Sequence, residues 1–491
     1  MNSKLFKIVQ ETPNEKYIFW TTVIFYVLLL LINPPNKLIA VSFIPLFFAY
    51  YLKIQKLPES LFFTFVSSMI IMTGKTYQIR AAPPGFFDIN AYPDGYFINI
   101  VITSSIFIAF VMLLYTIRQL TLKLNTFKPN FIDWLLIVFY CLNILSALFG
   151  SKEPELSVPI ELLSLTGLCA YFYVKVVLKI NNSLWKNLAY LFSALIIFET
   201  ILGLVQLGDK SPLGKNIEYQ VGIEYYGNVV GETPFTFRPV GTFDHANSLG
   251  IWSAAICIFL FTWLLKNKSP IIWISFFSGF VLMITTISRS AWLGFAIGFI
   301  FLLIHFRKRL RIILKPIVDN ILKWRIIIFP GIIILTFLFI IPRIYDSLYS
   351  FFPDNGGAFF RQIQISDALQ IISLHPILGI GAGMEVYEGI ALNMFTLAAS
   401  VPLEVHDWFL GIALESGLPS LFVIIFFIIY SLKKIFEESP NSTIFISIAA
   451  VVFCSSVAAI FQPYFNFGLI LLMISLVNGG IIRPANGKKS H

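Results

Sequence analysis

Apolar runs, each closed by charges, prolines or glycines, recur along the whole of this 491-residue chain. An α-helix needs about 20 mostly apolar residues to cross a bilayer. On that measure the runs predict about 14 spans, at 17–33, 38–52, 58–73, 98–117, 131–149, 159–179, 184–207, 245–265, 270–287, 290–306, 325–342, 408–432, 442–461 and 463–482. The runs at 38–52 and 58–73 are the weakest of them. The longest interruption is the polar stretch from Arg343 to His406. Within it Ile363, Ile365, Ala368, Leu369, Ile371 and Ile372 recur at roughly helical spacing, starting from Arg361. That pattern stops at His375-Pro376 and a glycine turn through Gly379, Gly381 and Gly383, and the next span opens at His406-Asp407-Trp408.

Composition turns this pattern into a class. Hydrophobic residues make up 57% of the chain and charged residues 12%, with a mean hydropathy of +0.81. Ordinary globular chains carry about twice that charge. The prediction is therefore an all-α polytopic integral membrane protein of about 12 to 14 transmembrane helices with a large extracytoplasmic helical loop. Cys141, Cys169, Cys257 and Cys454 all lie inside apolar runs without paired spacing, so they read as core residues and not as a disulfide framework or thiolate metal site. No small-residue cleavage site follows the first apolar run, which is expected to be a retained span.

Charge orients the spans. Cytoplasmic loops hold an excess of lysine and arginine. With the N-terminus inside, most of the 35 basic residues fall on the cytoplasmic side, including seven between Arg307 and Arg325, and most of the 26 acids fall outside. The net charge of +9 thus describes the face that meets anionic membrane lipid. Because the basic residues are scattered along membrane-flanking turns, nucleic acid is not an expected partner. Both termini are expected in the cytoplasm of a plasma membrane protein. The chain divides into an N-terminal bundle of about seven spans (1–207), an outer loop (208–244), central helices (245–342), a large outer loop (343–407) and C-terminal helices with a tail (408–491).

Polar chemistry then collects on the outer side. Arg238, Asp244 and His245 stand where the loop 208–244 re-enters the membrane, and Asn247 and Ser248 fall in the first turn of the helix that follows. Arg238 reads either as a ligand-binding cation or as the partner of Glu232 or Asp244, and His245 as a site residue or a helix-edge residue. Arg289, within Ser288-Arg289-Ser290-Ala291-Trp292, reads either as functional or as snorkelling to the outer headgroups. Arg361 is either part of a site or else solvated or paired with Asp367. His375 closes a helix and His305 sits among basic residues at the inner edge. His406, flanked by Glu404 and Asp407, is the best candidate base, since a neighbouring carboxylate orients an imidazole and tunes it. The GIGAG turn follows no strand, so it is not read as a phosphate loop.

Three of these stretches share a resemblance. Arg238-Pro239-Val240-Gly241-Thr242-Phe243-Asp244-His245-Ala246-Asn247-Ser248-Leu249-Gly250, then SRSAWLG from Ser288, then Arg361 through HPILGIGAG to EVHDWFLGIALESGLPS resemble signatures of the O-antigen ligase and polymerase superfamily, over roughly residues 200 to 430. Ala246 replaces a commoner proline and Asp407 stands where asparagine is frequent. The resemblance implies a GT-C-like, metal-independent, inverting glycosyltransferase without cofactors. Its donor would be an undecaprenyl-diphosphate-linked glycan and its acceptor a glycan, lipid or protein hydroxyl. His406, Arg289 and Arg361 would be catalytic, and Arg238, Asp244, His245, Asn247 and Asp407 would bind substrate. Arginine suits a diphosphate, because its planar fork binds phosphate oxygens bidentately and keeps its charge. No Asp-x-Asp cluster or His-rich spacing offers a metal in place of the arginines. The alternatives are a transporter of lipid-linked glycan or polysaccharide, and a protein O-oligosaccharyltransferase.

Overall fold

A computed structural model describes residues 13–81, 96–122, 127–218, 225–226, 236–265, 269–324, 357–384, 405–438, 442–462 and 467–481. Among these residues there are 14 helices: α1 (Pro13–Ile32), α2 (Asn36–Ile54), α3 (Leu57–Ser68), α4 (Ser104–Thr121), α5 (Phe131–Phe149), α6 (Pro154–Val177), α7 (Asn182–Asp209), α8 (Ala246–Leu264), α9 (Pro270–Thr285), α10 (Arg289–Trp324), α11 (Gly357–Leu374), α12 (Trp408–Glu438), α13 (Thr443–Ala459) and α14 (Phe467–Ile481). Nine are long and apolar enough to cross a membrane, and α9, α13 and most of α14 are shorter apolar helices. The chain is an all-α polytopic membrane protein.

Helices dominate because backbone N–H and C=O groups have no water to bond within hydrocarbon, and a helix satisfies them internally. Burial separates the core from the lipid-facing shell. The apolar stretches of α7 and α8 are 78% and 83% buried, against 22% for α2 and 28% for α4. In lipid the close packing of such helices rests on small residues. On α10, a Cβ added to Gly294 would stand 2.5 Å from the Cys454 carbonyl oxygen of α13, and one on Gly298 would stand 2.8 Å from that of Ala450. This four-residue spacing of glycines lets α10 lie directly on α13.

The sequence reading is corrected at two places. The span expected at 98–117 begins as a strand: β1 (Gly74–Ala81) pairs antiparallel with β2 (Tyr96–Thr103), Gly74 opposite Thr103, and the helix starts only at Ser104. The run YFINIVIT is apolar but rich in β-branched and aromatic residues, which favour a strand. The span expected at 58–73 is the 12-residue helix α3, buried from Glu59 to Ser68 and too short to cross. The span expected at 290–306 is found at Arg289–Arg307, as the first part of the 36-residue α10. The span expected at 325–342 lies outside the described residues. A second, two-residue pairing joins β3 (Tyr225–Tyr226) to β4 (Thr236–Phe237) within the loop 208–244.

Contacts between distant turns define two faces of the bundle. On one, the Asn216 backbone N–H donates to Asn33 Oδ1 (2.7 Å), joining the segment after α7 to the α1–α2 turn. On the other, Lys186 at the start of α7 lies 3.7 Å from Glu15 at the start of α1, and the Tyr173 hydroxyl donates to the Pro58 carbonyl (2.9 Å). On this second face a buried Asp133–Lys175 ion pair ties α5 to α6, and Tyr171 donates to Asp133 (2.8 Å) while accepting from Asn478 of α14 (3.0 Å). With the Asn130 N–H donating to Asp133 as well (2.6 Å), three donors surround one carboxylate and offset the cost of burying the pair.

Candidate active site

The loop from Arg238 to His245 is lashed to α7. Glu199 and Gln206 are seven residues apart, two turns of helix, and so face the same way. Gln206 Oε1 accepts the backbone N–H of Val240 (3.1 Å) and Gly241 (2.8 Å), and its amide nitrogen donates to the Gly241 carbonyl (3.1 Å) and to Glu218 (2.6 Å). Glu199 Oε2 accepts the Thr242 N–H (3.1 Å). Gly241 makes the turn with φ +60°, and a Cβ there would fall 2.1 Å from Glu199 Oε2.

Held in this way, the loop delivers its polar side chains to the start of α8. Arg238 Nε donates to the Thr286 carbonyl at the end of α9 (2.6 Å), and its Nη2 donates to Asn247 Oδ1. The bonds of Arg238 thus run to Asn247 and to the α9–α10 junction. His245 caps α8: its Nδ1 accepts the Asn247 N–H (2.9 Å), satisfying one of the donors a helix start leaves unpaired. Asp244 Oδ1 is sealed from solvent without a hydrogen-bond partner, and burial pushes the Asp244 carboxyl above the ordinary aspartate range. Arg289 opens α10 three residues after Thr286, with Ser288 and Ser290 bonded to each other at 3.0 Å on either side and Trp292 Nε1 donating to the Met283 carbonyl (3.2 Å). The fold therefore brings Arg238, Asn247 and the Arg289 junction together.

A second cluster forms between α11 and α12. The helical pattern expected from Arg361 is α11, and it ends at Leu374 as the sequence implies. Gly379, Gly381 and Gly383 all take positive φ (67°, 90° and 72°). The turn they make plugs a break in α12 at Gly417 (φ 81°, ψ 166°). There the helix exposes the carbonyls of Leu414 and Glu415, which accept from Ile380 (3.1 Å) and Gly381 (2.8 Å), while Leu418 N–H donates to the Pro376 carbonyl (2.9 Å). Glu415, whose direction the sequence leaves open, accepts the Gly383 N–H on its side chain (2.7 Å). Ser146 of α5 also donates to the Glu415 carbonyl (2.5 Å), so the break is anchored to the bundle.

His406 stands just before α12, 3.1 Å through Nδ1 from Gln364 Oε1 of α11. An amide oxygen can only accept, so Nδ1 carries the hydrogen and Nε2 the lone pair. The bond to Gln364 ties His406 to α11. Glu404 lies outside the described residues, and Asp407 caps α12 by accepting the Leu410 N–H (3.0 Å), its carboxyl pushed up by burial. Arg361 lies one turn before Gln364 on α11, and its side chain is outside the described ones. Glu199 and Gln206 escape motif reading because they are polar residues scattered along a mostly apolar helix, and Gln364 because it is one of several polar residues on α11; an acid within a span, as at Glu199, is the available signal.

Among the described residues no group of three or more His, Cys, Asp or Glu side chains is placed to hold a metal. No curated protein and no solved structure matches the chain. The stretch from α9 through the α12 break, residues 274–425, which includes Arg289, α11, the glycine turn and His406, matches the family model described as O-antigen ligase, and this supports membership of the O-antigen ligase and polymerase superfamily.

Proposed function

We propose that this protein is a membrane glycosyltransferase that moves a glycan from an undecaprenyl-diphosphate carrier to an acceptor hydroxyl at the outer face of the plasma membrane. The family match supports O-antigen ligase-type activity and, with it, a lipid-linked glycan donor and a glycan acceptor. The observation that carries the finer reading is His406, inside the matched stretch, with its Nδ1–H committed to Gln364 and its lone pair on Nε2. That is the tautomer a general base needs. In the proposed reaction Nε2 takes the acceptor hydroxyl proton as the oxygen attacks the anomeric carbon. The bond from that carbon to the diphosphate oxygen breaks, and the lipid diphosphate leaves with the electron pair. Attack opposite the leaving group inverts the centre. Arg238, Arg289 and Arg361 hold the diphosphate and stabilise the charge that develops on it. Its bonds to the Thr286 carbonyl and Asn247 Oδ1 orient the Arg238 fork. Asp244, His245, Asn247 and Asp407 shape the substrate site.

The test is product analysis with purified protein in nanodiscs and a lipid-diphosphate-linked repeat unit as donor. His406→Ala should lower turnover by about 10² to 10⁴ while the protein remains inserted and monodisperse. Turnover close to wild type would remove His406 from the base role. A ladder of lengthening chains on the carrier identifies a polymerase, and a single transfer to an added lipid or peptide identifies a ligase or protein glycosylation. Movement of the lipid-linked glycan across the bilayer without transfer would put a transporter in place of the enzyme.

A further inference from the structure

Thr242 makes two short contacts that one hydroxyl hydrogen cannot serve. Its Oγ1 lies 2.6 Å from the Ile70 carbonyl oxygen, after α3, and 2.5 Å from Glu199 Oε1. A carbonyl oxygen only accepts, and an ionised carboxylate only accepts. With Glu199 ionised, one of the two contacts would set lone pair against lone pair between two fully buried side chains. With Glu199 protonated on Oε1, both close. The acid donates to Thr242 Oγ1, Thr242 donates to Ile70, and Oε2 accepts the Thr242 N–H (3.1 Å).

The surroundings agree with a neutral group. Glu199 is fully buried in the most apolar part of α7, where an unpaired charge is expensive. Among the described residues no ion pair reaches it. The titratable groups whose charge bears on it, Tyr26 of α1 and Glu218 of the segment after α7, are not cations. Beside it, Gln206 does with an amide what Glu199 does with an acid: an oxygen accepts loop N–H groups while the other arm donates.

We propose that Glu199 is a protonated carboxylic acid that, together with Gln206, acts as a positioning residue, holding the 238–245 loop so that Arg238 is presented to the substrate. The acid and the amide form one clamp on α7, with Glu199 gripping Thr242 and Gln206 gripping Val240 and Gly241. The part of this inference that concerns substrate rests on the proposed role of Arg238. The part that concerns the proton does not.

Infrared spectroscopy of the reconstituted protein separates the two. Wild type at neutral pH should show the carbonyl stretch of a protonated carboxylic acid that Glu199→Gln removes. Thr242→Val should move that stretch to higher frequency, because the acid loses its acceptor. In transfer assays Glu199→Gln should keep KM for the lipid-linked donor within about twofold, since an amide reproduces one donor and one acceptor. Glu199→Ala should raise that KM about tenfold with a smaller change in kcat, the loss of about two hydrogen bonds to the loop. If no acid band is lost in Glu199→Gln, Glu199 is ionised and the inference fails. If Glu199→Gln is as defective as Glu199→Ala, the charge and not the clamp matters, and it fails again. Should Glu199→Ala not fold, the band shift in Thr242→Val and the retained KM of Glu199→Gln decide the matter. A band that behaves as expected in a protein that transfers no glycan would instead count against the proposed function alone.

Discussion

The loop carrying Arg238 and the glycine turn ahead of His406 are both pinned onto a membrane helix, one by side chains and the other by main chain. At the first, α7 stays unbroken and reaches out with Glu199 and Gln206. At the second, α12 breaks at Gly417 and offers its own carbonyls to the N–H groups of Ile380 and Gly381. The two modes differ in stiffness. A side-chain clamp keeps rotamer freedom, whereas a main-chain clamp moves only if the helix moves. The same probe shows the contrast: a Cβ on Gly241 meets the end of the Glu199 side chain at 2.1 Å, and a Cβ on Gly417 meets the Ile377 carbonyl at 2.1 Å. The carboxylate end can swing aside and the carbonyl cannot.

The sharpest break of this comparison is Gly417→Ala. Its φ and ψ lie in a region that belongs almost only to glycine, so the substitution should cost about 3 kcal/mol, seen as a lower thermal midpoint in detergent and a loss of transfer. A variant as stable as wild type would show that the α11–α12 clamp yields as easily as the other. Gly241→Ala should cost less, about 1 to 2 kcal/mol, because φ +60° is merely uncommon for alanine and the obstacle is mobile. Equal losses at the two glycines, measured on the same thermal assay, would erase the proposed difference in stiffness.

The smallest effect concerns pH at the edge of the first clamp. Burial raises the Asp244 carboxyl, so the folded state holds that proton more tightly than the unfolded chain does. The stability tied to it is fully present below the ordinary aspartate value of about 3.9 and is lost as pH rises through the raised folded value. Asp244→Asn removes this dependence. Its thermal midpoint relative to wild type should therefore climb with pH across the acidic range. A difference that is flat with pH would show that the carboxyl is not held protonated by the fold.

Much of the second clamp was legible because its determinants are local. The periodicity from Ile363 to Ile372 specifies a helix, Pro376 ends it, and the three glycines mark backbone that other residues avoid. The Gly417-Leu418-Pro419 break is announced in the same way. The first clamp was legible only as a motif. That Arg238 would bond the Thr286 carbonyl, and that His406 would be met by Gln364, depends on partners 48 and 42 positions away. The strand at Tyr96–Thr103 shows the reverse failure. Its eight residues are apolar enough to extend the following helix, and only the antiparallel partner at Gly74–Ala81 makes it a strand.

The sequence by itself determined the class: 57% hydrophobic composition and recurring long apolar runs leave a polytopic helical bundle as the way to satisfy a backbone in lipid. It also determined where polar chemistry interrupts that bundle. Tertiary structure alone decided which polar residues of the helices, Glu199, Gln206 and Gln364, reach across to hold that chemistry in place. Such a residue looks the same in sequence whether it clamps a loop or faces another helix, because its energy depends on the partner that folding brings to it.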